Sequence, residues 1–190
     1  ELKELKRKSL TLSMVRLAVF VGMILGAYFA YPQSSIVLGI IIGGLALFLF
    51  LVSKYTDVKA KRDFVSQLVQ INQAELLSVA GKSEQFNPGS NFISEEHHYN
   101  QDIDLFGEGS IFQAINRTGT ANGAQLLADK LNSNDIDEVS AKQEVISELA
   151  KKVDWRQDFQ ATGRIIEREV RASDIVKWVA SYVSKIPRLF

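Results

Sequence analysis

Four groups of side chains in this sequence are of types that could do chemistry. Gly81-Lys82-Ser83 has the ending of a phosphate-cradling loop, where backbone N–H groups hold phosphates and a lysine and a hydroxyl complete the site. The full pattern needs a glycine five residues before Gly81 and a strand leading in. That position is Leu76, inside a helical pattern, so nucleotide binding is not expected there. His97-His98 are the two histidines, with Glu95, Glu96 and Asp102 nearby. Adjacent side chains seldom serve one metal without further ligands, so a solvated polar loop is the expectation. Asp102 and Asp104 are paired carboxylates, but general acid–base work needs a cleft and shifted pKa values that nothing in the sequence supplies. Capping or loop hydrogen bonding is their expected role. Trp155 and Trp178 lie in amphipathic patterns and are expected as core or interface anchors rather than ligand platforms.

The composition narrows the classes further. The 190 residues carry 22 basic and 22 acidic side chains. Residues 1–16 hold five basic groups against two acidic ones, whereas from Lys54 onward 17 basic face 20 acidic. A slightly acidic soluble part leaves no electrostatic footprint for nucleic acid by itself. The absence of cysteine excludes disulfides, thiolate catalysis and cysteine-based zinc sites. The first residue is Glu1 rather than Met, and Phe190 comes soon after Pro187, so the sequence reads as a piece of a longer protein.

Two uncharged apolar runs dominate the first third, Leu17–Tyr31 with Thr11–Val15 leading in, and Ile36–Val52. Each reaches the roughly 17–25 residues a membrane helix needs, the first with Arg16 snorkelling toward the headgroups. Only Pro32–Ser35 separates them, which predicts an antiparallel transmembrane hairpin over 1–54, with spans at about 11–31 and 36–53. Lys3, Lys6, Arg7 and Lys8 precede the first span, and Lys54, Lys59, Lys61 and Arg62 follow the second. Basic flanks stay cytoplasmic, which predicts a multi-pass protein of the inner (cytoplasmic) membrane with both termini cytoplasmic and the turn outside. Tyr28, Tyr31 and Tyr55 suit interfacial positions. Gly22 and Gly26 form one GxxxG, Gly39 and Gly43 another, and counting from the turn puts them at matched depth, as a close helix–helix seam would need. A cleaved signal peptide would show one apolar run and a cleavage site, and buried soluble helices would carry a polar stripe. In the predicted topology the glycosylation triplet Asn116-Arg117-Thr118 faces the cytoplasm and stays unmodified.

Beyond Lys54 the helical spacing continues to Val79, predicting a stalk over 55–81 that Gly81 stops. Residues 82–104 read as a connecting loop with turn chemistry at Asn87-Pro88-Gly89-Ser90. Helices then return. Ser110 can cap one and Thr120 the next, with Leu126, Leu127 and Leu131 on its buried side. Asp135 or Asp137, Asp154 and Ser173 can cap three more, and Pro187 ends the last. No alternating strand pattern stands out, so the fold class is all-α.

One stretch is more specific than these rules explain. From Asp102 to Leu127 the sequence matches, in order and spacing, Asp104-Leu105-Phe106, Gly109-Ser110-Ile111, Asn116-Arg117-Thr118, Thr120, Gly123 and Leu127. This resembles the opening of the helical core (lever) domain of the DNA mismatch-repair MutS family. A following helix, Val139–Leu149, is similar to the family's next one, with Lys142 in a usual arginine position and Gln143 retained. The resemblance covers about residues 99–166. The hairpin departs from the mismatch-reading members and looks like the subgroup in which membrane helices replace the mismatch-reading domains. The resemblance implies a MutS-like core over 105–190 and structural, not catalytic, roles for Asp104, Phe106, Gly109, Ser110, Asn116, Arg117, Thr118, Thr120 and Gly123. Gly123 would allow close helix approach, Thr118 and Thr120 would cap, and Arg117 would bridge helices or a carboxylate. It implies no cofactor in this stretch, and ATP with magnesium in the ATPase domain of a parent protein. Implied partners are the lipid bilayer, DNA held through other domains, and a second copy of the chain. Rival expectations are a membrane-anchored helical scaffold without ATPase activity, and a transporter fragment with Trp178–Phe190 leading into another span.

Overall fold

The structure, a computed structural model, describes residues 1–31, 34–93, 103–133, 139–169 and 172–182. Among them there are no strands. The α-helices are α1 (Leu2–Phe29), α2 (Ser34–Val79), α3 (Ile111–Ile115), α4 (Ala121–Asn132), α5 (Val139–Ala150), α6 (Val153–Glu169) and α7 (Ala172–Ser181), with a 3-10 turn at Ser90–Phe92. The protein is all-α. Its contacts divide it into two units, Glu1–Ser66 and Gln67–Phe190. The second apolar run and the stalk are one helix, α2, as the helical spacing continuing past Lys54 predicts. His97, His98, Glu95, Glu96, Asp102, Asp135, Asp137, Pro32 and Pro187 lie outside the described residues.

In the first unit α1 and α2 pack antiparallel. Phe20 meets Phe48 at 6.3 Å between ring centroids, and the Arg62 guanidinium reaches the Ser9 hydroxyl at 3.3 Å. Less exposed positions recur along α1 in steps of three and four at Leu2, Leu5, Ser9, Leu12, Arg16, Val19, Met23 and Gly26, with Ser13 and Ala27 beside them. Val37, Ile40, Gly44, Phe48, Leu51, Tyr55, Val58 and Arg62 do the same on α2. An inward face that repeats about every 3.5 residues is the seam of a left-handed two-helix coil. Both helices are long and apolar enough to cross a membrane, and their apolar windows are 0% buried within the protein.

The glycine seam differs from the expectation. A Cβ on Gly26 would touch Ile40 at 3.5 Å, but on Gly22, Gly39 and Gly43 it would meet nothing within 4 Å. The close glycine on α2 is Gly44, whose Cβ would lie 2.9 Å from Met23. Counting from the turn gives the right depth to within a residue. It does not give the azimuth, and one residue turns the face by about 100°. Arg16 lies half-buried in the seam, its guanidinium 5.0 Å from the Tyr55 ring and 6.0 Å from that of Phe48.

The second unit is built around three phenylalanines. Phe92, Phe106 and Phe112 lie pairwise 5.4–5.9 Å apart, and Leu105, Ala124 and Ala128 close over them. Burying a ring as fully as that of Phe112 contributes on the order of 2–3 kcal/mol. One of the three rings, Phe92, comes from the segment expected as a connecting loop, and so does Phe86, which is buried beneath the Arg117 guanidinium. On α4 the buried residues are Ala124 and Ala128, with Leu127 and Leu131 half-buried. Leu126 is 61% exposed, contrary to its expected inward place. Two predicted caps shift as well. Asp154 and Ser173 fall inside α6 and α7, each one residue past the start.

Candidate functional site

The stretch that carries the resemblance folds into a set of interlocked caps. α2 ends first. Lys82 N donates to Leu77 O at 3.0 Å and Gly81 N to Ser78 O at 2.9 Å, with Gly81 left-handed at φ 79°. This paired arrangement satisfies the last carbonyls of the helix. Gly81-Lys82-Ser83 is therefore helix-ending chemistry in this chain, not a phosphate loop.

The chain then turns at Asn87–Gly89, where the Asn87 side-chain oxygen accepts from Gly89 N at 2.8 Å. Gly107 N reaches back to Pro88 O at 2.9 Å and joins this turn to the matched stretch. Asp104, Gly109 and Ser110 serve the start of α3, while Phe106 is buried in the core against Phe92 and Phe112. Asp104 takes φ 47°, and its carbonyl accepts from Ile111 N at 3.1 Å. Leu105 O accepts from Phe112 N, and the Ser110 hydroxyl accepts from Gln113 N at 3.1 Å, the predicted cap. Gly109 N donates to the side-chain oxygen of Gln113, whose amide donates in turn to Phe86 O at 2.9 Å. Gln113 is thus buried with both ends satisfied, which the cost of an orphaned buried amide requires.

Asn116 is buried and organises the next turn. Its oxygen accepts from Thr118 N at 3.0 Å and from the Thr118 hydroxyl at 2.7 Å, while its amide donates to Asn87 O. Thr118 is therefore tied to Asn116 rather than capping a helix. Thr120 is the cap of α4, accepting from Gly123 N at 3.1 Å. Gly123 is not at a helix crossing. A Cβ there would meet the side chains of Thr120 at 3.1 Å and Thr118 at 3.5 Å, both from its own cap.

The close approach lies instead at two glycines the sequence reading passed over. A Cβ on Gly119 would lie 2.8 Å from Gln160 O, and one on Gly163 would lie 3.5 Å from the Gly119 backbone. The turn before α4 thereby rests directly on α6. An isolated glycine inside a helical pattern, as Gly163 is, was the available signal.

Arg117 holds this assembly to α2. Its Nε donates to Glu75 Oε1 at 2.5 Å, Nη2 to the Ser78 hydroxyl at 3.2 Å, and Nη1 to the carbonyls of Ala114 and Asn116. Its guanidinium also lies 3.7 Å from the centroid of the Phe86 ring. A planar fork with this many fixed partners fits arginine and not lysine.

A cleft of about 370 Å³ opens beside these turns, lined among others by Asn87, Asn116, Thr118, Thr120, Arg164 and Glu167. Burial lowers the pKa of the half-buried Arg164, and Glu75 opposes that shift. Among the described residues no three His, Cys, Asp or Glu side chains gather as a metal site would need. Trp155 and Trp178 are not in the core. They are 53% and 62% exposed; Trp155 stacks on Phe159 of its own helix at 5.3 Å, and Trp178 meets Tyr182, just past the end of α7, at 5.1 Å in a tilted pair. Compared with known protein families, curated proteins and solved structures, the chain matches none.

Proposed function

We propose that this chain is the anchor and first core helices of a membrane-bound MutS-like ATPase, a relay that does no chemistry itself. In this reading α1 and the first part of α2 cross the inner (cytoplasmic) membrane as a two-pass hairpin with both termini cytoplasmic. The Gln67–Phe190 unit passes helix movement between α2 and a separate domain of the parent protein that binds ATP with magnesium. DNA and a second copy of the chain are the partners proposed for that parent.

The observation that carries the reading is the use of Arg117. It lies in the Asn-Arg-Thr stretch on which the resemblance rests, and its donors are committed to α2 and neighbouring backbone. The other matched residues likewise stitch turns together. Side chains used this way suit a mechanical coupling element. The membrane part is supported by two unburied apolar helices with lysine-bearing flanks.

Nucleotide binding by the full-length gene product tests the family reading: a product that binds no ATP overturns it. Reporters fused at Ser34 and Ser83 test the topology, with Ser34 expected outside. An external signal from Ser83 overturns the orientation.

A second reading is favoured by the exposed aromatic pairs Trp155–Phe159 and Trp178–Tyr182. It makes the chain a membrane-anchored helical scaffold that recruits a cytoplasmic partner, without ATPase activity. Coding sequence downstream of Phe190 discriminates the two, since the ATPase reading requires a G-x-x-x-x-G-K-[ST] loop after a strand.

A further inference from the structure

The first unit holds nine basic and four acidic side chains. Three of the cations are matched within the unit: Lys8 by Glu4 at 2.8 Å, Lys61 by Glu1 at 3.3 Å and Arg62 by Asp63 at 2.8 Å. Arg16 faces the rings of Phe48 and Tyr55. Lys3, Lys6, Arg7, Lys54 and Lys59 are exposed and, among the described residues, make no ion pair. Asp57 is the carboxylate that stands among them.

Their position on the helices matters more than their number. Along the outward face of α1 the exposed residues Lys3, Arg7, Leu10, Met14, Leu17 and Val21 follow one another in steps of four and three. Lys6 lies one turn from Lys3 and one turn before the exposed Leu10. On α2 the exposed stripe through Leu38, Ile42, Leu45 and Leu49 continues to Thr56 and Lys59, and Lys54 lies a heptad beyond the exposed Leu47. Each unpaired cation therefore extends a stripe that faces away from the seam and is apolar further along. If Thr11 and Ser53 end the spans, Arg7, Lys6 and Lys54 fall at the depth of the headgroups, roughly 2–8 Å beyond the hydrocarbon. Lys3 and Lys59 lie within about one Debye length of that layer.

We propose that Lys3, Lys6, Arg7, Lys54 and Lys59 form a collar that binds the phosphodiester headgroups of anionic phospholipids. The proposal rests on the membrane-hairpin reading and adds the lipid class to it. The seam keeps the inward faces of both helices occupied and leaves the collar side chains exposed outside it, with the Lys54 ammonium 5.8 Å from the exposed Phe50 ring of its own helix. Five cations against one carboxylate favour a negatively charged headgroup over a zwitterionic one.

The test uses the full chain reconstituted into vesicles of phosphatidylcholine alone or mixed with phosphatidylglycerol. Flotation reports insertion, and spin-labelled lipids of the two headgroups report selectivity. Expected is insertion into both kinds of vesicle, with phosphatidylglycerol preferred at the protein by at least roughly fivefold at low salt. The preference should weaken as salt rises and disappear in the combined variant Lys3→Gln, Lys6→Gln, Arg7→Gln, Lys54→Gln, Lys59→Gln. Insertion without headgroup preference, or a preference insensitive to salt, overturns the collar and leaves the hairpin standing. A preference that survives the combined substitution also overturns it. Failure to float with either vesicle overturns the hairpin and the collar together. The salt series on the unsubstituted chain decides the matter even where the combined variant does not fold.

Discussion

The ring of Phe112 lies directly beneath Gly89, with its Cδ1 2.6 Å from where a Cβ on that glycine would stand. Gly89 also takes φ 69°, a left-handed conformation that costs other residues roughly 1–2 kcal/mol. Gly89→Ala therefore meets both strain and overpacking against the most buried ring of the core. Urea unfolding of the full chain in detergent should show a loss of about 2–4 kcal/mol. Gly81→Ala is the control, because Gly81 is left-handed with open space around it and should lose only about 1 kcal/mol. Equal effects at the two sites would show that the Phe112 contact is not tight.

Arg117 separates fork geometry from charge. Its ion pair with Glu75 is about a third exposed, so solvent screens it, and Glu75→Gln should cost no more than about 1 kcal/mol. Arg117→Lys keeps the charge but loses the fork and the broad stacking on Phe86, and should cost about 2 kcal/mol. A lysine variant as stable as the original would place the value of this residue in its charge alone.

Gly119 and Gly163 face one another but should respond differently. A Cβ on Gly119 runs into the backbone oxygen of Gln160, which cannot move without α6, so Gly119→Ala should destabilise by about 1–3 kcal/mol. At Gly163 the nearest atom is the Thr120 methyl at 3.3 Å, and alanine gains about 1 kcal/mol of helix propensity. Gly163→Ala should come out near neutral. The same unfolding experiment reads both.

In the hairpin, Gly44→Leu should disrupt pairing where Gly43→Leu does not, because Met23 occupies the space beside Gly44 while that beside Gly43 is open. Thermal melting of helicity in detergent should start lower only for the Gly44 variant.

The ammonium of Lys152, hydrogen-bonded to Glu148 one turn away and attracting it, holds that carboxyl below its ordinary 4.5. The folded value being the lower one, the pair's small contribution is complete above the unfolded value. It is lost as pH falls through the depressed one. A Glu148 titration by NMR should return toward 4.5 in Lys152→Gln and in high salt.

What could be read from the sequence was local. Ser110, Thr120 and Gly81 end or begin helices through hydrogen bonds to residues three to five positions away, so their roles were legible from spacing. Arg117 was legible as a bridge, but Glu75 lies 42 positions earlier and nothing local names it. The burial of Phe86 and Phe92 was hidden for the same reason. A segment without apolar periodicity gives no sign of which aromatic a distant core will take up. The outward turn of Gly39 and Gly43 was lost because depth can be counted along a chain and azimuth cannot. The Gly119–Gly163 approach sits between those cases, signalled by a lone mid-helix glycine but without an address for its partner.

The uninterrupted rhythm of inward positions in α1 and α2 limits how that pair can move. Sliding one helix along the other by a residue or two would lift Met23 out of its place beside Gly44 and carry Arg16 away from its rings. Inward faces come back into step only after a heptad, about 10 Å of travel. The pair therefore resists a piston stroke and yields more readily to twisting about its own axes, so a signal entering along α2 would arrive as torque.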